Sequence, residues 1–558
     1  MDRLRHLGGG SQGLIAFLAF LLFAVLIWGL PVLANPSEVY VGKGARDPQT
    51  FIWCLVWWPH ALLNGKSAVS TGALWAPDGV SLAWVTSIPG PALAMAPFTR
   101  TVGPVVSFNT LMLLAPTLSA WGGFLVCRRV TRAFWPSVAG GYIFGFSAYQ
   151  VGQQWGHINL GLTFCVPLAV YLVLRRQQGD LKAWWFVPLL ALVLAAQFSI
   201  STEVFATMAL FGGIALAGAL AFVPGRRSLL VTVGWVAAAY ALALTLVSPL
   251  LLEALHTAPG EPVRDLVKPA SDLYSFLLPR FPMLIGGQRF EETTERFTLN
   301  WTGDGAYLGP ALILLLLLFA VTRWRHRSTW LLIGFAAVAA DLSMGPVLHI
   351  MGRESVAMPW SLVSGVPLIQ NALPQRFVLY MWLAIAIIVG LWLVGRRLWW
   401  ARWALVAVAA VMLLPDLSSI YMHGRVRNPP FFTEGTYRRH IRADEIVLTI
   451  PLGHGELDGK DMHWQAMSDM YFRLADGHIG FIPEEFRGRA ASALRHNRPR
   501  GINEQLLREY LARHRVSVIL VPVAYADAWR ETLSSLGVDP VEAGGIVVYR
   551  LPGPGRGR

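Results

Sequence analysis

"GLIAFLAFLLFAVLIWGLPVLANPSEVYVGKGARDPQTFIW" occupies Gly13–Trp53. Its first part, about residues 13–34, carries no charge and is long enough to cross a bilayer as a helix, which takes roughly 20 apolar residues. MDRLRH precedes it; Glu38 and Asp47 follow the run, and Asp47 alone stands directly before a block of Trp, Phe and Leu. "LPVLANPS" is loosely compatible with signal cleavage, but a signal peptide has a shorter apolar region. The run therefore reads as an uncleaved signal anchor. On which side of the membrane Asp47 lies then decides what the chain can do.

The rest of the 558 residues has the same character: 54% are hydrophobic, only 14% are charged, and the mean hydropathy is +0.49. That composition excludes a soluble globular protein. Cys54, Cys127 and Cys165 lie in or beside apolar segments and make no disulfide or zinc spacing. They read as small buried hydrophobes. A net charge of +13 would point to nucleic acid in a soluble chain. Here its distribution matters more, and no nucleic-acid partner is expected.

Apolar runs fall at about 13–34, 104–127, 134–153, 158–174, 183–200, 204–222, 229–250, 305–321, 329–350, 377–395 and 403–419. They predict about eleven transmembrane helices. With the N-terminus in the cytoplasm, every inner loop is short and basic. Arg128, Arg129 and Arg132, then Arg175, Arg176 and Lys182, then Arg226 and Arg227 mark three of them. Arg323, Arg325 and Arg327, and Arg396, Arg397 and Arg402, mark the last two. Of 33 acidic residues only Asp2 and Asp180 share those segments. This is the positive-inside pattern. It predicts a multi-pass plasma-membrane protein with its C-terminus extracytoplasmic.

Asp47 then falls outside, in a first outer loop of about residues 35–103. Thr50–Leu63 is too short to span. Trp53, Trp57 and Trp58 favour the headgroup level, so the segment reads as an interfacial helix. "SLAWVTSIPGPALAMAPF" reads likewise. Asp47 has two readings: an N-cap of that helix, or a general base whose pKa is raised among aromatics. A second outer loop, about 251–304, holds Lys268, Arg280, Arg289 and Arg296. After Tyr421 the chain becomes polar, and "EIVLTI", "VSVILVP" and "IVVYRL" read as strands among amphipathic helices. The domain boundaries expected are 1–424, membrane-embedded, and 425–558, a small extracytoplasmic α/β domain.

Other ionisable groups predicted near the outer surface are His157, Glu203, Asp78 and His60. Each has a plainer reading: a solvated His157 or a Glu203 that caps its helix. Arg376, at the outer start of a span, suits a lipid-linked phosphate, because guanidinium grips phosphate oxygens in a fork. It equally suits an Arg snorkelling to the interface. Arg280, Arg289, Arg296 and Lys268 are further phosphate candidates. No Walker loop, H-E-x-x-H or G-x-S-x-G motif occurs.

This layout resembles the GT-C superfamily of membrane glycosyltransferases. The likeness rests on "GARDPQTFIW" after the first span, on "ALPQRFVLYMWLAIAI", and on "IVLTIPLG" followed by "WQAMSDMYFRLADGHIGFIP". The resemblance implies a polyprenyl-phosphate sugar as donor and a cell-envelope glycan, lipid or protein as acceptor. It implies that Asp47 deprotonates the acceptor hydroxyl and that transfer inverts the sugar. Basic residues of the outer loops would bind the phosphate, and the C-terminal domain would help position the acceptor. Many members carry two adjacent acids in the first loop, whereas Asp47 is single, with Arg46 before it and Asp78 the only later acid there. Some members use a divalent cation, Mg or Mn, and others none, so that point stays open. Two alternatives remain: a scaffold subunit of the same fold, and a lipid-linked sugar transporter or flippase. The latter calls for ionisable groups at mid-span, where this chain has almost none.

Overall fold

In the computed structural model, the described residues are 9–43, 46–257, 270–298, 303–362, 364, 372–417, 422–426, 428–452, 460–479 and 482–552. Two compact units partition the chain. The first comprises Met1–Ala34, Thr110–Pro249 and Pro259–His423; the second comprises Asn35–Asn109, Leu250–Ala258 and Gly424–Arg558.

The first unit is helical. Among the described residues, seven helices are long and apolar enough to cross a membrane: Gly10–Ala34, Pro104–Thr131, Ile158–Gln177, Ala183–Ile200, Thr202–Phe222, Arg226–Leu246 and Pro374–Leu393. Gly309–Thr322 and Trp399–Met412 are shorter apolar helices. The helix Val378–Leu393 is buried on nearly every face. It packs against Phe134–Gly145, where a Cβ on Gly140 would meet the Ala386 carbonyl at 2.7 Å. Arg226–Leu246 instead turns Leu230, Val231 and Leu246 outward, as a lipid-facing helix does. The chain is a multi-pass membrane protein.

Two predicted spans differ. The run 134–153 breaks into Phe134–Gly145 and Ala148–Gln153. Extended Ser147 starts the second piece, its Oγ accepting from the Gln150 N–H at 3.3 Å. The run 329–350 ends as a helix at Ser343. Gly345 turns the chain at φ +74°, which glycine tolerates, and Val347–Ile350 then pairs antiparallel with Arg353–Ala357. The buried Asp272 carboxylate holds that hairpin by accepting the Met351 and Gly352 N–H groups at 3.2 and 2.8 Å.

The second unit is built on a five-stranded mixed sheet. Its strands are β1 (Ile446–Thr449), β2 (Arg473–Leu474), β3 (Val518–Pro522), β4 (Val541–Ala543) and β5 (Ile546–Arg550), in spatial order β4-β5-β3-β1-β2. β1 runs parallel to β2 and β3; β5 pairs antiparallel with β3 (Val547 opposite Val521) and with β4. β1 and β3 are buried throughout, as apolar central strands covered on both faces are. Helices Glu504–Arg513 and Val523–Ser534 supply Leu507, Leu511, Trp529 and Leu533 to this core.

The long segment after the first span, Asn35–Asn109, belongs to the same unit. Residues 73–76 run along the free edge of β2: the Leu474 N–H donates to Ala73 O at 2.8 Å and the Ala76 N–H to Leu474 O at 2.9 Å. An exposed strand edge is thereby covered. Residues 35–109 and 250–258 group with the C-terminal residues 424–558 in this unit. The helix Arg46–Leu63 does not turn its tryptophans to lipid headgroups either. Trp53, Trp57 and Trp58 are buried, and their indole N–H groups donate to Gln465 Oε1, Ala68 O and Ser87 O. A buried indole needs such a partner.

Candidate functional sites

In the second unit the site is organised by Arg46–Leu63. Asp47 lies in the first turn of this helix and is exposed; it is not a residue preceding the helix, as an N-cap would be. An anion there is favoured by the helix dipole. Immediately behind it the helix is clamped. Thr50 Oγ1 donates to His478 O at 2.7 Å, and Trp53 Nε1 to Gln465 Oε1 at 2.6 Å. Gln465 Nε2 in turn donates to Ala73 O and Phe472 O. A carboxylate presented by a fixed helix end has a defined position, as a catalytic base requires.

The other two candidates of this loop stand apart from Asp47. His60 is thirteen residues further along the same helix, about 20 Å at 1.5 Å per residue. Its Nδ1 faces Asp469 Oδ1 at 3.4 Å and its ring stacks on Trp57. Asp78 is exposed and acts electrostatically on His514 of the sheet region. Asp47 is thus the acid that this loop presents at the helix start.

In the first unit, two cation–carboxylate pairs flank the helix Ala148–Gln153. Arg376 Nη1 donates to Glu203 Oε2 in a close ion pair, and the Leu373 N–H donates to Glu203 Oε1 at 3.2 Å. Both side chains are about four-fifths buried. Glu203 is not the cap of its helix; Ser201 takes that role, its Oγ accepting from the Val204 N–H. The fully buried Tyr149 lies within electrostatic reach of both members of the pair.

The second pair is Arg280 Nη1 and Asp304 Oδ2, 3.7 Å apart. Asp304 is buried, and burial raises its pKa against the opposing pull of Arg280; burial likewise lowers that of Arg280. Among the described residues, Arg280 Nη1, Asp304 Oδ1, Ser275 Oγ and Tyr307 OH are buried with no partner within hydrogen-bond distance. They surround a cavity of about 10 Å³, which Ala148 and Gly152 also line. Gly305 brings Asp304 against that helix, since a Cβ on it would meet Tyr149 Cα at 2.5 Å.

Asp304 had no role in the sequence reading. Its only signal was the Gly-Asp-Gly triplet of 303–305, which marks a close backbone approach. His157 follows the same helix, half-buried, its carbonyl accepting the Leu160 and Gly161 N–H groups. Arg289 is exposed, and Arg296 makes a surface pair with Glu292 at 3.6 Å. Such a pair contributes little. Lys268 lies outside the described residues. Among the described residues no three His, Cys, Asp or Glu side chains group as a metal site.

The family pattern described as "Domain of unknown function (DUF6311)" matches residues 16–418. The chain belongs to the DUF6311 family. No curated protein matches in sequence. Solved structures do match. The arabinofuranosyltransferase AftD from Mycobacteria is 14% identical with a TM-score of 0.61, over 98% of this chain and 40% of that one. The Archaeoglobus fulgidus oligosaccharyltransferase in its apo form is 12% identical with a TM-score of 0.51, over 97% of this chain and 74% of that one. This DUF6311 chain therefore spans two fifths of the length of AftD. At these identities the likeness is one of fold alone: the chain shares the fold of these two solved transferases.

Proposed function

We propose that this protein is an inverting glycosyltransferase that moves a sugar from a polyprenyl-phosphate donor to a cell-envelope glycan, lipid or protein acceptor at the outer face of the membrane. The observation that carries the proposal is Asp47: a single exposed carboxylate at the start of a clamped helix, just past the first span of a GT-C fold. Fold alone does not specify chemistry, so the site residues must supply it. Asp47 takes the proton of the acceptor hydroxyl. The oxygen attacks the anomeric carbon from the face opposite the phosphate, the carbon–oxygen bond to phosphate breaks, and polyprenyl phosphate leaves with the electron pair.

The leaving phosphate needs cations that hold their geometry. Arg376 and Arg280 fit that need: each is half-buried or more and oriented by a carboxylate, Glu203 or Asp304. The short basic loops support an outer location for the segment that carries Asp47. Sugar transfer by the purified protein from a panel of polyprenyl-phosphate sugars tests the proposal, with Asp47→Asn beside it. Transfer by the wild type that the variant loses is expected. Equal transfer by both proteins removes Asp47 from the mechanism.

A further inference from the structure

Within the first unit the helices Gly309–Thr322 and Trp399–Met412 pack side by side. A turn at 323–326 follows the first, and a turn at 395–398 precedes the second. These turns and the residues just past them carry Arg323, Arg325, Arg327, Arg396, Arg397 and Arg402. Among the described residues no carboxylate pairs with any of the six.

Two of these arginines are built into the turns. Arg402 is half-buried. Its Nη1 donates to Trp392 O at 2.6 Å, and its guanidinium lies over the Trp392 ring, 4.1 Å from the centroid. Residue 395 is glycine where a Cβ would overlap that guanidinium. Arg323, also half-buried, lies over the Phe319 ring at 5.5 Å and within electrostatic reach of Arg402. Two like charges held in place repel each other, and an anion between them replaces that repulsion with two attractions. Other basic turns of this unit are neutralised from within: Arg129 pairs with Asp180, and Arg128 donates to Gln12 Oε1.

The surroundings narrow the anion. Trp324, Trp330, Trp399 and Trp400 are exposed on the same turns, and Trp330 Nε1 donates to Trp324 O at 2.7 Å. Exposed tryptophans favour the headgroup level of a bilayer. A ligand that satisfies both the guanidiniums and the indoles has a charged head and an apolar body. Guanidinium grips phosphate oxygens in a fork.

We infer that the two turns, 323–327 and 394–402, bind the phosphate of an anionic phospholipid through Arg323 and Arg402. The short basic loops place this site in the leaflet expected on the cytoplasmic side. The inference does not depend on glycosyl transfer.

The test is native mass spectrometry of the full-length protein in detergent, titrated with phosphatidylglycerol or with phosphatidylcholine of the same chains. The wild type should bind phosphatidylglycerol at least about tenfold more tightly than phosphatidylcholine. Arg323→Gln/Arg402→Gln should weaken phosphatidylglycerol binding by about tenfold or more. Arg226→Gln/Arg227→Gln removes two charges from another basic turn and should stay within about threefold of the wild type. If the first double variant fails to fold, Arg325→Gln/Arg397→Gln, with both side chains exposed, takes its place. Glycerol phosphate or poly-glutamate, equimolar with the lipid, should not displace it. The inference is overturned if the two lipids bind alike, or if the variant binds phosphatidylglycerol like the wild type. It is equally overturned if Arg226→Gln/Arg227→Gln loses as much, which would assign the effect to general surface charge. Displacement by glycerol phosphate or by poly-glutamate would overturn it in favour of a soluble phosphate or an acidic protein.

Discussion

The indole N–H of Trp53 donates to Gln465 Oε1 at 2.6 Å, joining residues 412 apart in sequence. Gln465 also satisfies the carbonyls of Ala73 and Phe472. One amide thus ties the helix that bears Asp47 to the loop edge that completes the sheet. Replacing Gln465 by Leu strands a buried indole N–H and the Phe472 carbonyl, while Ala73 O keeps the Leu474 N–H. We expect a loss of about 2–3 kcal/mol, read as a lower unfolding temperature of the solubilised protein. An unfolding temperature equal to the wild type's would show that this linkage is dispensable.

Asp47→Asn should keep the fold, because the exposed side chain packs on no core. Transfer should drop by about 10²–10⁴, the usual contribution of a general base. The comparison is initial rates at saturating donor, with unfolding temperature as the control.

Arg376→Ala should weaken binding of undecaprenyl phosphate about tenfold or more, since bonds to a charged group contribute about 1.5–3 kcal/mol. Arg296→Ala, on a surface pair, should bind like the wild type. Equal loss in both would mean that the cations act through general field rather than as a site. Titration calorimetry in detergent separates the two.

Gly305→Ala places a methyl against the Tyr149 backbone, which cannot swing aside as a side chain can. A destabilisation of about 1–3 kcal/mol is expected, as for overpacked cores. Thermal unfolding unchanged from the wild type would contradict the close approach that seats Asp304.

The buried His463 gives a pH dependence of defined sign. Its folded pKa, about 3, lies below its unfolded value of 6.5. The unfolded chain therefore binds more protons between those values. Its stability contribution is complete above about pH 6.5 and is lost as pH falls toward 3, with a slope of up to about 1.4 kcal/mol per pH unit. His463→Gln cannot titrate and should flatten this part of the curve. Parallel unfolding curves for the two proteins from pH 7 to 4.5 would assign the acid sensitivity elsewhere.

Hydropathy and charge are local properties, and what depends on them was legible. A helix in lipid satisfies its own backbone, so a run such as Gly10–Ala34 declares itself without any partner. The alternation of short basic loops gives an expected orientation by the same local logic. Apolar β-branched runs declared β1 and β3 because central strands are buried on both faces.

What remained hidden depended on pairing across long separations. Trp53, Trp57 and Trp58 carry the same residue type whether they meet headgroups or protein; only the approach of Gln465, Ala68 and Ser87 made them core. Glu203 could not be told from a cap until Arg376 lay against it, and Ser201, two residues earlier, held the cap geometry. Asp304 and His463 acquired meaning through burial, which no single residue's identity encodes. The sequence by itself determined a membrane chain of apolar helices with a polar C-terminal region, since transfer free energy adds up residue by residue along the chain. Tertiary structure alone decided which charges face one another and which polar atoms are buried unpaired, because those contacts are set by packing between distant segments.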